Sequence, residues 1–89
     1  MKFEFDPAKS AANKAKHGLD FVEAQALWDD PLLVEIPARL QGEPRMYTIG
    51  VIADRLWVAV WTLRATRVRI ISVRRARKDE VETYEDGRI

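Results

Sequence analysis

The sequence predicts an α+β fold in which a mainly antiparallel β-sheet carries two N-terminal helices and a short C-terminal helix. Three observations predict it: two segments with helix start and stop signals near the N-terminus, three β-branched and aromatic runs in the second half, and a charged, helix-forming tail. The chain of 89 residues falls within the ~50 to 200 residues of one globular domain, so we expect residues 1–89 to share a single core.

The first helix is predicted over residues 7–17. The preceding run, FEF, alternates as a short strand does, and Asp6-Pro7 then supplies an N-cap and a first helical residue. Alanines recur at helical spacing through this segment. Gly18 follows Lys16-His17 and supplies the left-handed residue that commonly ends helices.

A second helix is predicted to begin after Asp20. Asp20 and Glu23 have the spacing of a capping box, and an apolar stripe follows until Asp29-Asp30-Pro31 stops it. LLVEI then reads as a strand, and the stretch from Pro37 to Pro44 reads as a loop.

Three further strands are predicted from the runs MYTIGVIA, LWVAVWTL and VRIISV. Only the neighbourhoods of Asp54-Arg55 and Ala65-Thr66 separate these runs, which allows hairpins but no helical crossover. The sheet should therefore be mainly antiparallel, with the helices on one face. The tail KDEVETYE predicts the short closing helix, with a frayed end at Gly87.

Composition excludes several classes of protein. The chain has no cysteine, which rules out a disulfide framework, a thiol nucleophile and a thiolate zinc site. Its longest apolar stretch, around Leu56 to Leu63, is far shorter than the ~20 residues of a membrane span, and its N-terminus has no signal-like apolar region. We expect a cytoplasmic protein that does not contact a membrane.

The net charge of +1 hides a strong asymmetry along the chain. Residues 1–42 carry five Lys or Arg against seven Asp or Glu, residues 43–77 carry eight Arg against two acids, and residues 78–89 carry two basic residues against five acids. Arginine forms bidentate bonds to phosphate and stays charged. The arginine-rich middle therefore indicates a polyanionic or carboxylate-bearing partner.

Several of these arginines should gather on the sheet. Regular alternation along the last strand would point Arg74 to one side, with Val68 and Ile70, and Arg69 to the other. A hairpin should bring Arg64, at the end of the preceding strand, close to Arg67 and Arg69. This group is a candidate phosphate-binding surface, and in a nuclease Arg67 and Arg69 would bind RNA.

Taken together, the motifs of the chain resemble the BrnT family of type II toxins. FEFDPAKSAANKAKHGLDF near the start and WTLRATRVRIISVRRARKDEVETYE at the end carry the resemblance by their order and spacing. It implies a RelE-like fold, RNA cleavage that halts translation, and control by a cognate BrnA antitoxin with a ribbon-helix-helix DNA-binding part. DNA would then be contacted only through the antitoxin.

The resemblance directs attention to Arg64 and Arg74, which match arginines of the family's strand-end motifs. Attack of a ribose 2′-hydroxyl on the adjacent phosphate needs a proton acceptor, positive charge on the phosphorane and a proton for the leaving oxygen. We expect Arg64 and Arg74 to clamp the scissile phosphate. This chemistry requires neither a metal nor another cofactor, and the aspartates stand at helix boundaries where they have capping roles.

Four other residues have two readings each. His17 suits proton transfer near neutral pH, but its place at a helix end has a structural explanation as well, and Lys16 shares this ambiguity. Glu80 is either a base or the partner that orients an arginine, with orientation favoured. Tyr84 either stacks on an RNA base or packs in the core.

Two other functions compete with a ribonuclease toxin. One is a nucleic-acid-binding module without catalysis, in which loss of Arg64 or Arg74 weakens binding only. The other is a protein-interaction subunit whose arginines meet the acidic or hydrophobic surface of a partner. The sequence leaves open the RNA preference and the identity of the general base.

Overall fold

The computed structural model describes residues 1–38 and 44–86. In these residues the chain forms five strands, two α-helices and one 3₁₀ segment. The strands are β1 (Lys2–Glu4), β2 (Val34–Ala38), β3 (Arg45–Ile52), β4 (Arg55–Arg64) and β5 (Arg67–Arg75). The helices are α1 (Pro7–His17) and α2 (Lys78–Asp86), and the 3₁₀ segment spans Glu23–Asp29.

The five strands form one mixed sheet in the order β1-β5-β4-β3-β2. The pairs from β2 to β5 are antiparallel, but β1 pairs in parallel with β5, with Lys2 opposite Arg67 and Glu4 opposite Arg69. The prediction of an antiparallel sheet with two N-terminal helices is therefore wrong. Hairpin connections dictate antiparallel pairing only between neighbouring strands, and β1 has no hairpin partner.

The second predicted helix is also wrong, because Glu23–Asp29 is a 3₁₀ segment. The predicted capping box is nevertheless present: Val22 and Glu23 donate backbone hydrogen bonds to Asp20 Oδ1, and Glu23 Oε1 accepts one from the Asp20 N–H. The segment has only seven residues before Asp30 and Pro31 end it. So short a stretch gains little from α-helical propagation, and 3₁₀ winding is common in such pieces.

The first helix has the predicted bounds. Asp6 is its N-cap and accepts hydrogen bonds from the Ala8 and Lys9 backbone, Pro7 is its first residue, and Gly18 ends it with φ of 90°. Asn13 then fixes this helix to the sheet. Its amide donates to the Val73 C=O (2.8 Å) and accepts from the Val73 N–H (3.1 Å), on the edge of β5 that β1 leaves uncovered beyond Arg69.

Helical elements cover both faces of the sheet, which corrects the prediction that they pack on one face. The first face carries the larger core, to which the 3₁₀ segment contributes Ala24 and Leu27. That segment packs closely on β3, since a Cβ at Gly50 would lie 3.1 Å from Leu27 Cδ2 and 3.2 Å from its carbonyl oxygen. The second face carries a smaller core, in which Tyr84 of α2 packs with Ile49 and Val58.

A β-bulge in β5 changes which side chains share a face. Val60 pairs with Ser72 while Trp61 pairs with Ile70, so Ile71 is an extra residue on β5. Val73 consequently joins Val68 and Ile70 in the larger core. The alternation predicted for this strand is wrong after the bulge, because it placed Val73 on the opposite side from Val68 and Ile70.

Two predicted features concern the loops. Pro37, predicted to begin a loop, still belongs to β2, and the rest of that loop from residue 39 to residue 43 lies outside the described residues, as does the predicted fraying at Gly87. The turn between β3 and β4 places both Ala53 (φ 51°) and Asp54 (φ 65°) in the left-handed region.

Within the part of the chain described, no helix is long and apolar enough to cross a membrane.

Candidate RNA-binding face

Four arginines lie on the second face of the sheet, the face on which α2 packs, and the bulge adds Arg74 to the three that precede it. The register pairs Arg67 with Arg64, Arg69 with Thr62 and Arg74 with Val58, and all three β4 residues are even-numbered members of one strand face. Val58 lies in the smaller core, which identifies that face as the second one. We call the surface formed by Arg64, Arg67, Arg69 and Arg74 the arginine face.

One end of the arginine face lies at the β4–β5 hairpin and forms what we call the hairpin cluster: Lys2, Glu4, Arg64, Arg67 and Arg69. Arg69 donates to Glu4 Oε2 at 2.8 Å, and Arg64 lies 3.7 Å from the same oxygen. Lys2 pairs in register with Arg67, which pairs with Arg64. The predicted proximity of Arg64 to Arg67 and Arg69 is confirmed.

The other end of the arginine face centres on Arg74, which is held from two sides. Both of its terminal nitrogens donate to Glu80, at 2.7 and 2.8 Å, and its guanidinium lies over the Tyr47 ring, 5.8 Å from the centroid. Glu80 also accepts a hydrogen bond from the Arg77 N–H at 2.7 Å. These contacts hold the planar guanidinium of Arg74 in one orientation while it keeps its positive charge.

The hydrogen bonds between Arg74 and Glu80 shift the pKa of both side chains. Hydrogen bonding to Glu80 raises the pKa of Arg74, and hydrogen bonding from Arg74, supported by the Arg77 N–H, lowers the pKa of the Glu80 carboxyl. Burial opposes both shifts but is outweighed. Glu80 is thus an ionised group whose two oxygens are already bonded, which is the geometry that orienting Arg74 requires.

Arg64 and Arg74 do not meet in this structure. Arg74 pairs with Val58, six residues before Arg64 on β4, which separates the two arginines by about 20 Å at ~3.3 Å per residue. Each is directed toward its own carboxylate, Glu4 or Glu80. In this arrangement the two guanidiniums are too far apart to contact one and the same phosphate.

Lys16 and His17 lie in the last turn of α1 and share no hydrogen bond or ion pair with Arg64 or Arg74. They follow Asn13 by three and four residues, so they share the side of the helix that contacts the β5 edge at Val73. His17 is half-buried and makes no hydrogen bond or ion pair with any described residue. Both residues belong to the last, basic turn of the helix, where a cation is favoured by the macrodipole.

Tyr84 is part of the packing in this structure. Its side chain is buried with Ile49 and Val58, and its hydroxyl donates to Asp30 Oδ2 at 2.8 Å. Asp30 also accepts from the Val51 N–H, so this contact ties α2 to the end of the 3₁₀ segment and to β3. The arrangement fixes the helix that carries Glu80.

Three further residues of this face were missed by sequence reasoning. Glu4 bonds two arginines, Tyr47 lies beneath Arg74, and Arg45 shares the face of Tyr47 because it stands two residues away on β3. Alternation of MYTIGVIA could have placed Tyr47 and Ile49 on one face. No pattern within the sequence indicates that β1, with Glu4, pairs beside β5.

The predicted capping roles are seen at Asp6 and Asp20, which accept backbone hydrogen bonds at the starts of α1 and of the 3₁₀ segment. Asp30 instead accepts from the Leu32 and Val51 N–H groups, outside the 3₁₀ segment. Within residues 1–38 and 44–86 no three His, Asp or Glu side chains are grouped so that they could hold a metal ion.

Comparison with known families identifies the class of protein to which this arginine-rich sheet belongs. Residues 5–80 match the family described as the ribonuclease toxin, BrnT, of type II toxin–antitoxin systems. The chain belongs to the BrnT family, which confirms the resemblance carried by its terminal motifs. Membership makes it a ribonuclease toxin whose system includes an antitoxin partner. No curated protein matches the chain.

Proposed function

We propose that this toxin is a metal-independent endoribonuclease that binds RNA on the arginine face, cleaves it and so halts translation. A BrnA-like antitoxin with a ribbon-helix-helix part neutralises it in the cell and supplies the DNA binding. The observation that carries this proposal is the β-bulge, which places Arg74, held between Glu80 and Tyr47, on the sheet face that also carries Arg64, Arg67 and Arg69.

In this proposal Arg74 binds the scissile phosphate. Attack of the 2′-hydroxyl forms the new O–P bond and builds negative charge on the phosphorane, which a preorganised guanidinium stabilises. Glu80 positions Arg74 through two parallel hydrogen bonds and does not itself take the proton, since its pKa is lowered and both of its oxygens are bonded. Arg64 and Arg74 were expected to clamp the same scissile phosphate. In this proposal Arg64 instead binds the RNA backbone at a different phosphate.

Proton transfer falls to groups beside that phosphate. The 2′-hydroxyl loses its proton to a base as the new O–P bond forms, and the 5′-oxygen takes up a proton as its bond to phosphorus breaks. The Tyr47 hydroxyl, carried by the ring that lies under Arg74, is a candidate donor of the second proton. The imidazole of His17 is the competing candidate, because histidine is the side chain most often used for proton transfer. Tyr47→Phe and His17→Gln separate the two, because loss of the true donor lowers kcat and alters the corresponding limb of the pH–rate profile.

The test uses purified toxin and a single-stranded RNA in buffer with EDTA. We expect cleavage products that end in a 2′,3′-cyclic phosphate, because the 2′-oxygen displaces the 5′-oxygen. Arg74→Lys keeps a positive charge but loses the bidentate fork, and we expect a ~10² to 10³-fold loss of rate from removing a preorganised donor. Arg55→Lys is the matched control, since Arg55 is exposed and pairs with Ile52 on the opposite face.

Three outcomes would overturn the proposal. Cleavage that stops in EDTA and returns with Mg²⁺ would exclude the metal-independent mechanism. RNA that binds but stays intact would favour a non-catalytic binding module. Equal rates for wild type and Arg74→Lys would remove Arg74 from the site. Expression of the chain alone in bacteria, with growth and mRNA followed together, tests the effect on translation.

The antitoxin part of the proposal is tested by co-expressing the toxin with its encoded neighbour. We expect one complex by size-exclusion chromatography, which loses ribonuclease activity and binds DNA. A toxin that elutes alone beside a folded neighbour would contradict it.

A further inference from the structure

The hairpin cluster is electrostatically incomplete. Within residues 1–38 and 44–86 it gathers four cations, Lys2, Arg64, Arg67 and Arg69, around one carboxylate, that of Glu4. Lys2, Arg67 and Arg64 form one cross-strand row, and like charges directly opposite each other destabilise a sheet. An anion with several oxygen acceptors is the complement that this arrangement lacks.

Glu4 gives the cluster its shape without neutralising it. Its Oε2 accepts from Arg69 at 2.8 Å and lies 3.7 Å from Arg64, while Arg67 and Lys2 make no ion pair with any described residue. Arg64 remains largely accessible, with 61% of its side chain exposed. The cluster therefore presents cationic donors whose positions are partly fixed by one bonded carboxylate.

We infer that the hairpin cluster is a second phosphate subsite, which holds the RNA backbone at a distance from the phosphate that reacts at Arg74. The inference rests on the proposed function. About 20 Å along β4 separates the two ends of the arginine face. That distance equals about six nucleotides at the ~3.4 Å of a stacked strand and fewer in an extended one, so the subsite binds a phosphate roughly three to six nucleotides from the cleaved bond.

RNA fits this cluster better than an acidic protein surface does. The cluster lies on the same face as Arg74, and one continuous strand with evenly spaced phosphates reaches both ends. The planar guanidinium of arginine binds phosphate through two hydrogen bonds. Three of the four cations of the hairpin cluster, Arg64, Arg67 and Arg69, are arginines.

The experiment scans charge along a cleavable RNA. An oligonucleotide whose cleavage position has been mapped receives one uncharged methylphosphonate at each linkage in turn, and kcat and KM are measured for wild type, Arg67→Gln and Arg55→Gln. Arg67→Gln removes a cation that has no ion pair among the described residues, so no ion pair of the fold is lost. Arg55→Gln controls for the change in charge alone. Thermal unfolding verifies that all three proteins are equally folded.

We expect one linkage, three to six nucleotides from the cleaved bond, at which a methylphosphonate raises KM about 5- to 10-fold with kcat unchanged. Arg67→Gln should raise KM by a similar factor on unmodified RNA, and the two changes should not add, because they remove the same contact. Arg55→Gln should leave KM unchanged.

The failure of this inference differs from the failure of the proposed function. If wild type cleaves no RNA, both fall. If wild type cleaves RNA but only linkages next to the cleaved bond affect KM, the distant subsite is excluded while the nuclease remains. An Arg67→Gln protein with unchanged KM but weaker antitoxin binding would assign the cluster to the protein partner and overturn the inference.

Discussion

Replacing Glu80 with glutamine tests the contact that directs Arg74. Glu80 accepts three hydrogen bonds, two from Arg74 and one from the Arg77 N–H, each of 2.7 to 2.8 Å. Its side chain is 10% exposed and that of Arg74 is 18% exposed. Glutamine has the same shape but only one acceptor oxygen and no charge, so Glu80→Gln leaves the guanidinium without a counter-charge.

The loss of stability expected from Glu80→Gln lies between the loss for an exposed ion pair and the loss for a fully buried one. Exposed pairs contribute ~0 to 1 kcal/mol, and breaking buried ones costs ~3 to 5 kcal/mol. Since both side chains are mostly buried but reach the surface, we expect Glu80→Gln to lower the free energy of unfolding by about 2 to 3 kcal/mol at pH 7. Urea denaturation followed by fluorescence of the three tryptophans measures it.

The pH dependence identifies the cause of that loss. The folded-state pKa of Glu80 is below its ordinary value of 4.5, so the carboxylate stabilises the fold above that pH, and the contribution is lost as pH falls through the folded value. Wild type and Glu80→Gln should therefore converge in stability below about pH 4.5. Glu85→Gln, on the same helix and exposed, is the control and should change little.

A difference of less than about 0.5 kcal/mol at pH 7, or one that stays constant down to pH 3, would refute this reasoning. Either result would mean that the ion pair adds nothing to stability, and that the case for an oriented Arg74 has lost its physical basis. The ribonuclease rate gives an independent reading, since Glu80→Gln should lower kcat more than it raises KM.

Three further substitutions test the fold by the same urea titration. Asn13→Ala should lower the free energy of unfolding by about 3 kcal/mol, because both backbone groups of Val73 lose a buried partner; a cost below 1 kcal/mol would contradict the edge-capping role. Gly50→Ala should cost about 1 to 3 kcal/mol, because the new Cβ meets Leu27 at 3.1 Å, and a neutral result would show that the 3₁₀ segment yields easily. Ala53→Asn should raise the free energy of unfolding by about 0.5 kcal/mol, because asparagine tolerates the left-handed region better than alanine; destabilisation would refute the assignment of strain to this turn.

Local signals predicted local structure well. The Asp6-Pro7 start and the Gly18 end define the first helix, because capping and the left-handed end depend on neighbouring residues only. The hairpins of the second half followed from the short connections between apolar runs. The Asp20 and Glu23 pair formed as predicted but caps a 3₁₀ segment, since a capping box specifies where winding begins and not how tightly it continues.

Contacts distant in sequence were beyond such signals. The parallel pairing of β1 with β5 joins residues more than 60 positions apart, and nothing in FEF indicates which edge it will occupy. For the same reason Glu4 was not recognised as a partner of Arg64 and Arg69. The ion pair of Arg74 with Glu80 spans six residues, and the sequence predicted only that Glu80 would orient one of the arginines, without indicating which.

The bulge at Ile71 links the stability of the sheet to its function. A one-residue shift in a strand exchanges its two faces, so an unbroken β5 would have to place either Val73 outside the larger core or Val68 and Ile70 outside it. With the extra residue, all three apolar side chains face the larger core. The same extra residue turns Arg74 onto the face that already carries Arg67 and Arg69, because the polar positions shift together with the apolar ones. The packing requirement of the core is therefore sufficient to explain why the arginines before and after the bulge form one continuous surface.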